Sequence, residues 1–183
     1  QTIPDAEMRL APDEAAYIVN LTGAEAEKVI AATPDSAESL FETSVSCIGG
    51  MTCQVGMRDS QGLLAACVKA VREAALPDGA LPQIHISGCP SSCGTHQTGA
   101  LGFRGASKIV DGKPQSAFTL FFGGQDRQGS EAMGRELGAI FEGDIPAFLV
   151  ELGKAVAASG MDYAAWSAAD PAAIDRIAAP YLG

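Results

Sequence analysis

"PQIHISGCPSSCGTHQTGALGFRG", residues 82–105, is the stretch on which the fold turns. It opens with "PQIHIS", a short run that reads as a strand leading straight into Cys89. It closes on the start of a second alternating run, "ALGFRGASKIV". Between them stand Cys89, Pro90, Cys93 and Gly94, with almost nothing bulky to pack. Such a segment brings backbone and sulfur close to something other than protein. Pro90, directly after Cys89, fixes φ and removes an N–H that would otherwise need a partner.

A second cysteine pair lies upstream. Cys47 and Cys53 are separated by the five residues "IGGMT", whereas "PSS" separates Cys89 from Cys93. Five cysteines with four in two tight pairs point to metal or redox chemistry before disulfides. Structural zinc sites pair cysteines two to four residues apart, so the first spacing is long for zinc. An iron–sulfur cube is larger and takes unequal spacings, although this pattern is neither the bacterial ferredoxin run nor the plant type. Gly49, Gly50, Gly88 and Gly94 leave backbone N–H groups free to approach sulfur. The residues alone favour a [4Fe–4S] cluster, with zinc and a metal-free scaffold as alternatives.

Working outward, the chain alternates strand and helix signals. "MRLAPDEAAYIVNL" reads as an extended segment, a turn at Ala11-Pro12-Asp13 and a strand from about Tyr17 to Leu21. Thr22 and Glu25 form a capping box for a helix running to about Thr33 and ended by Pro34. "SLFETSVSC" reads as a strand that delivers Cys47. Asp59 or Ser60 caps the helix "QGLLAACVKAVREAAL", and Cys67 falls on its apolar stripe as a small core residue. "ALGFRGASKIV" and "SAFTLFFGG" form a hairpin around "DGKP". "IPAFLVELGKAVAAS" is a helix capped by Asp144 and closed by Gly160, followed by one or two short helices anchored by Tyr163, Trp166 and Tyr181. The expectation is a two-layer α/β (α+β) fold, a mixed sheet with helices packed on it, over residues 1–160, with a helical tail over 161–183.

With 183 residues, 47% of them apolar, the chain can fill a core. Its 22 acidic residues against 12 basic ones give a net charge of −10, which argues against nucleic acid as a partner. No apolar run approaches the roughly 20 residues of a membrane helix. "QTIPDAEMRL" lacks an export signal pattern, so a cytoplasmic protein is expected. Met51 and Met57 are expected to shield the cysteine site from water. His85 and His96 flank the second pair and read as hydrogen-bonded structural histidines, with proton donation as the rival role. Arg58 reads as a solvated surface charge.

The combination "C-x5-C … GCP-x-x-CG" resembles the signature of the siroheme-dependent nitrite and sulfite reductases. "MRLAPDEAAYIVNL", "GALGFRG" and "LFFGG" resemble segments of the same family, so the likeness covers about residues 6–155. The resemblance implies that Cys47, Cys53, Cys89 and Cys93 ligate one [4Fe–4S] cluster, and that Cys93 also bridges to the iron of siroheme. It implies half-module architecture and passage of single electrons through the shared thiolate for six-electron reduction of a small oxyanion. Arg104 and Lys108 are the candidate contacts for the macrocycle. The expected partners are ferredoxin or a reductase subunit, together with the amino-terminal half of a two-half oxidoreductase, since this chain matches the carboxyl-terminal half only. "SCIGGMTC" departs from the plant-type nitrite reductases and leaves nitrite and sulfite both open. A cluster-bearing electron-transfer module without haem, a catalytically silent fragment, and a corrin-pathway biosynthetic enzyme acting on a tetrapyrrole are the alternatives.

Overall fold

The computed structural model of the chain describes residues 3–11, 16–33 and 37–182, which fall into two units, Gln1–Glu38 and Ser39–Gly183. In the first unit, β1 (Glu7–Leu10) pairs antiparallel with β2 (Ala16–Val19), setting Met8 opposite Ile18. β2 stops short of Leu21 because Asn20 takes a positive φ of 62°. α1 (Gly23–Ala32) starts on the expected capping box: Glu25 N–H donates to Thr22 Oγ1, and the Glu25 carboxylate accepts from Thr22 N–H at 2.8 Å. The turn at Pro12-Asp13 and the stop at Pro34 lie outside the described residues.

The second unit is built on a five-stranded mixed sheet. Its strands are β3 (Val45–Ser46), β4 (Ile84–Ser87), β5 (Leu101–Val110), β6 (Lys113–Phe122) and β7 (Arg135–Phe141), side by side in that order. β3, β4 and β5 run parallel, and β5, β6 and β7 antiparallel. The mixed sheet and its helices match the expected fold class. Asp111 and Gly112 both take positive φ, 50° and 73°, so the hairpin closes in two residues and β6 begins at Lys113.

Two elements differ from expectation. The segment before Cys47 is mostly a 3₁₀ turn, Phe41–Thr43, because Thr43 and Ser44 hydroxyls bond back to the carbonyls of Leu40 and Phe41. Only Val45 and Ser46 remain as strand, yet Cys47 still follows directly, its N–H reaching Ile86 O at 3.0 Å. β7 carries no clear sequence signal, because a register shift against β6 interrupts its alternation and Gly138 sits at φ 147°.

Helices α2 (Ser60–Glu73) and α3 (Ile145–Ser159) cover one face of the sheet. Asp59 is the N-cap of α2, accepting from Gly62 N–H at 3.0 Å. Asp144 precedes α3 but makes no side-chain cap bond; a 3₁₀ turn, Glu142–Asp144, leads in instead, and Gly160 closes the helix at φ 72°. Ile84, Ile86, Leu101, Phe103, Phe118, Leu120 and Ile140 meet Leu63, Cys67, Phe148, Leu149 and Leu152 in one core. Cys67 is wholly buried, and desolvation pushes its thiol pKa up to about 12, so it is inert packing. α4 (Tyr163–Ala169) and α5 (Ala173–Leu182) supply the tail anchors: Tyr163 is in the core, and Tyr181 meets Phe148 edge-on and donates to Glu151 at 2.7 Å. No helix among the described residues is long and apolar enough to cross a membrane.

Phe148 is 0% exposed at the centre of the core. Phe148→Ala is expected to cost about 3–5 kcal/mol, read as a lowered urea midpoint with an unchanged slope.

Candidate functional site: two cysteine loops at one end of the sheet

Parallel pairing brings the two cysteine loops together. Val45 lies opposite His85 and Ser46 opposite Ile86, so β3 and β4 run out side by side into Cys47 and into Gly88-Cys89. The loops are then fastened backbone to backbone. Gly88 O accepts from Met57 N–H at 3.2 Å and Arg58 N–H at 3.0 Å, and Arg58 O accepts from Gly50 N–H at 2.7 Å. Cys53 N–H returns to Gly49 O at 2.9 Å, which curls the first loop back on itself. Gly88 N–H donates to the Cys47 sulfur at 3.1 Å, so one of the amide–sulfur contacts expected from the glycines is present.

Close approach makes glycine obligatory here. A Cβ at Gly105, on the neighbouring β5, would stand 2.1 Å from Gly88 O, and one at Gly88 would stand 2.6 Å from Arg58 O. Three strands of chain meet with no room for a methyl group.

The four cysteines differ in access. Cys47 and Cys89 are buried, Cys53 is half-buried and Cys93 is exposed. Among the described residues, no three His, Cys, Asp or Glu side chains converge as closely as a single metal ion requires. The donor set is four thiols on two clasped loops, of which Cys93 is exposed. This chemistry and this exposure fit a cluster that takes its ligands on separate corners. Ile48, Met51, Val55 and Met57 rim the first loop, at 51%, 79%, 68% and 49% exposure. Met51 and Met57, expected to shield the site, belong to this exposed apolar collar. Cavities of about 610 Å³ beside α2 and about 500 Å³ beside Tyr163 have no cysteine in their walls.

The segment after Cys93 folds back over the sheet face opposite the core. Gly94 N–H donates to Ser87 Oγ at 3.1 Å, Thr95 Oγ1 lies 2.8 Å from His85 Nδ1, and the His96 ring packs on Phe121 with centroids 4.9 Å apart. Both histidines are buried. Desolvation lowers the pKa of each, that of His96 to about 4 with the Arg104 charge adding to the effect. His96 Nδ1 has no hydrogen-bond partner among the described residues. Neutral imidazoles at pH 7 fit the structural role and leave no imidazolium ready to donate.

The basic residues are engaged with protein. Arg58 is a strut and not a solvated surface charge: its Nε donates to Ala106 O at 2.7 Å and its Nη2 to Ser107 Oγ, tying the first loop to β5. Arg104 stands opposite Ser87, lies over Phe121 at 5.1 Å and pairs with Glu136 at 3.3 Å. Lys108 is four residues further along β5, roughly 13 Å from Arg104 at strand rise. Its Nζ donates to Ala139 O and Leu182 O at 3.3 Å and caps the Phe141 ring. The structure thus sets Arg104 beside the strand end that leads to Cys89, and Lys108 away from it. Ser60, singled out from sequence only as a helix cap, places its Oγ 3.2 Å from Cys47 Sγ. No sequence signal marks it, because the contact is made by folding.

Two outcomes follow from this geometry. Gly105→Ala is expected to destabilise the chain by about 1–3 kcal/mol through overpacking, measured by urea unfolding. Because His96 drops from 6.5 to about 4 on folding, the unfolded chain binds the extra proton first, and stability falls as pH is lowered from 6.5 towards 4. NMR of the His96 ring should show no titration between pH 7 and pH 5, whereas a midpoint near 6.5 would contradict its burial.

No family model matches the chain. It is 31% identical over 107 residues, 58% of its length, to a ferredoxin–nitrite reductase of Leptolyngbya laminosa, and 26% identical over 129 residues, 68% of its length, to one of Synechococcus elongatus. Its fold superposes on the NirA protein of Mycobacterium tuberculosis with a TM-score of 0.65 at 20% identity, over 78% of this chain. The chain spans only 20% and 25% of the two reductases and 28% of the NirA chain. The chain is thus similar in sequence, over part of its length, to two ferredoxin–nitrite reductases, and similar in fold to NirA.

Proposed function

We propose that the chain is the cluster-binding and electron-delivering part of a nitrite or sulfite reductase. Cys47, Cys53, Cys89 and Cys93 hold one [4Fe–4S] cluster, and Cys93 shares its thiolate with siroheme. The observation that carries this reading is the clasp between the two cysteine loops, with Gly88 N–H already directed at the Cys47 sulfur. When bound, the cluster and the macrocycle supply one-electron relay and multi-electron reduction of a small oxyanion.

The chain's own residues prepare that chemistry. Burial of Cys47 and Cys89 keeps water from two corners of the site, while exposed Cys93 faces outward, where a macrocycle can reach it. The collar of Ile48, Met51, Val55 and Met57 offers apolar surface to such a flat partner or to the rest of the reductase. Arg104, beside the Cys89 strand end, is the basic group best placed for a macrocycle carboxylate, with Lys108 as a more distant second. A net charge of −10 makes this chain by itself a poor host for an anionic substrate, so the substrate cations come from the remainder of a larger protein. Ferredoxin, named in both relatives, is the proposed electron donor and nitrite the favoured substrate.

The visible spectrum of anaerobically reconstituted protein tests the reading, with iron and acid-labile sulfide assayed on the same sample. A broad sulfur-to-iron charge-transfer band with about four irons and four sulfides per chain is expected. Cys93→Ser should weaken both the cluster and any Soret band gained from added siroheme. A protein that stays colourless and iron-free after reconstitution sinks the proposal.

A further inference from the structure

Among the described residues, two polar groups stand beside the Cys47 sulfur. Gly88 N–H lies 3.1 Å away, and Ser60 Oγ lies 3.2 Å away. Ser60 is 0% exposed, opens α2, and also donates its hydroxyl to Cys47 O at 2.7 Å. One hydroxyl carries one proton and two lone pairs. While Cys47 is a thiol, its S–H donates to Ser60 Oγ and the Ser60 proton points at the carbonyl. A thiolate bound to iron has no proton to give, and the same 3.2 Å approach then asks the hydroxyl to turn towards sulfur.

We propose that Ser60 is a buried hydroxyl donor to the Cys47 thiolate that raises the reduction potential of the cluster. This rests on the cluster assignment above and adds to it a residue that touches no substrate. Reduction brings one electron from an external one-electron donor and increases negative charge on the sulfurs. A donor to sulfur stabilises that added charge more than it stabilises the oxidised state. Ser60 keeps its proton throughout, and no bond to it forms or breaks. Burial strengthens the effect, because no water competes for the sulfur. The N-terminal end of the 14-residue α2 adds positive potential in the same direction.

The experiment is a redox titration of the full reconstituted chain, followed by EPR of the reduced cluster, for wild type, Ser60→Ala and Ser60→Thr. The alanine variant removes the hydroxyl with little change of volume and is expected to titrate at a more negative midpoint. The threonine variant keeps the hydroxyl and is expected to return the midpoint to that of wild type. Equal midpoints for wild type and Ser60→Ala, each with a full cluster, overturn the role of Ser60 and leave the cluster assignment standing. A wild-type chain that takes up no cluster removes the assignment and this inference with it. Should Ser60→Ala fail to load, proton ENDOR of the reduced wild type decides: an exchangeable hydroxyl coupling supports the contact, and amide couplings alone overturn it.

Discussion

Everything at the sulfur-bearing end of this molecule depends on the backbone of one residue, Gly88. Its carbonyl receives two amides from the first cysteine loop, and its N–H reaches the Cys47 sulfur. On the other side, the Cα of Gly105 packs so closely that a single methyl group would collide with it. A backbone carbonyl accepting two N–H bonds is fully satisfied, and breaking either bond would remove one tie between the loops. The clasp is therefore a rigid unit, although the loops it joins are far apart in sequence and short of side chains.

The rest of the second unit can be understood as support for that clasp. α2 begins two residues after Arg58, so the helix that fills the core also aims Ser60 at Cys47. The parallel register of β3 and β4 sets the two loops level, and the buried faces of β4, β5 and β6 hold that register against the helices. On the opposite face, the segment after Cys93 is tacked down by Gly94, Thr95 and His96 to groups on β4 and β6. Arg58 links the first loop to β5 through two hydrogen bonds, so the loop is tied at its base as well as at its tip. Its charge serves architecture.

Local signals written in consecutive residues were legible without coordinates. The Thr22–Glu25 box, the Asp59 cap, the Asp111-Gly112 turn and the αL stop at Gly160 each follow from the chemistry of one to four neighbouring residues. The two cysteine pairs were equally plain, because spacing is a property of sequence. Where signals were weak, the cause is physical. "SLFETSVSC" has strand-like composition, but its hydroxyls bond their own backbone and turn most of it into a 3₁₀ segment. "RELGAIF" is a strand whose alternation is broken by a bulge against β6, so only the neighbouring strand reveals it.

What the sequence by itself determined is therefore most of the helices and strands, the apolar core stripe that includes Cys67, and the grouping of four cysteines into two pairs. What only the tertiary structure decided is who stands beside whom. Met57 and Arg58 meet Gly88, Ser60 meets Cys47, His96 meets Phe121, and Arg58 becomes a strut, because strand pairing and helix packing bring together residues 13 to 49 positions apart. Hydrogen bonds between distant backbone groups leave no trace in side-chain identity beyond the demand for glycine where two backbones touch. For that reason the cysteine pairs could be read from the chain, and the environment around them could not.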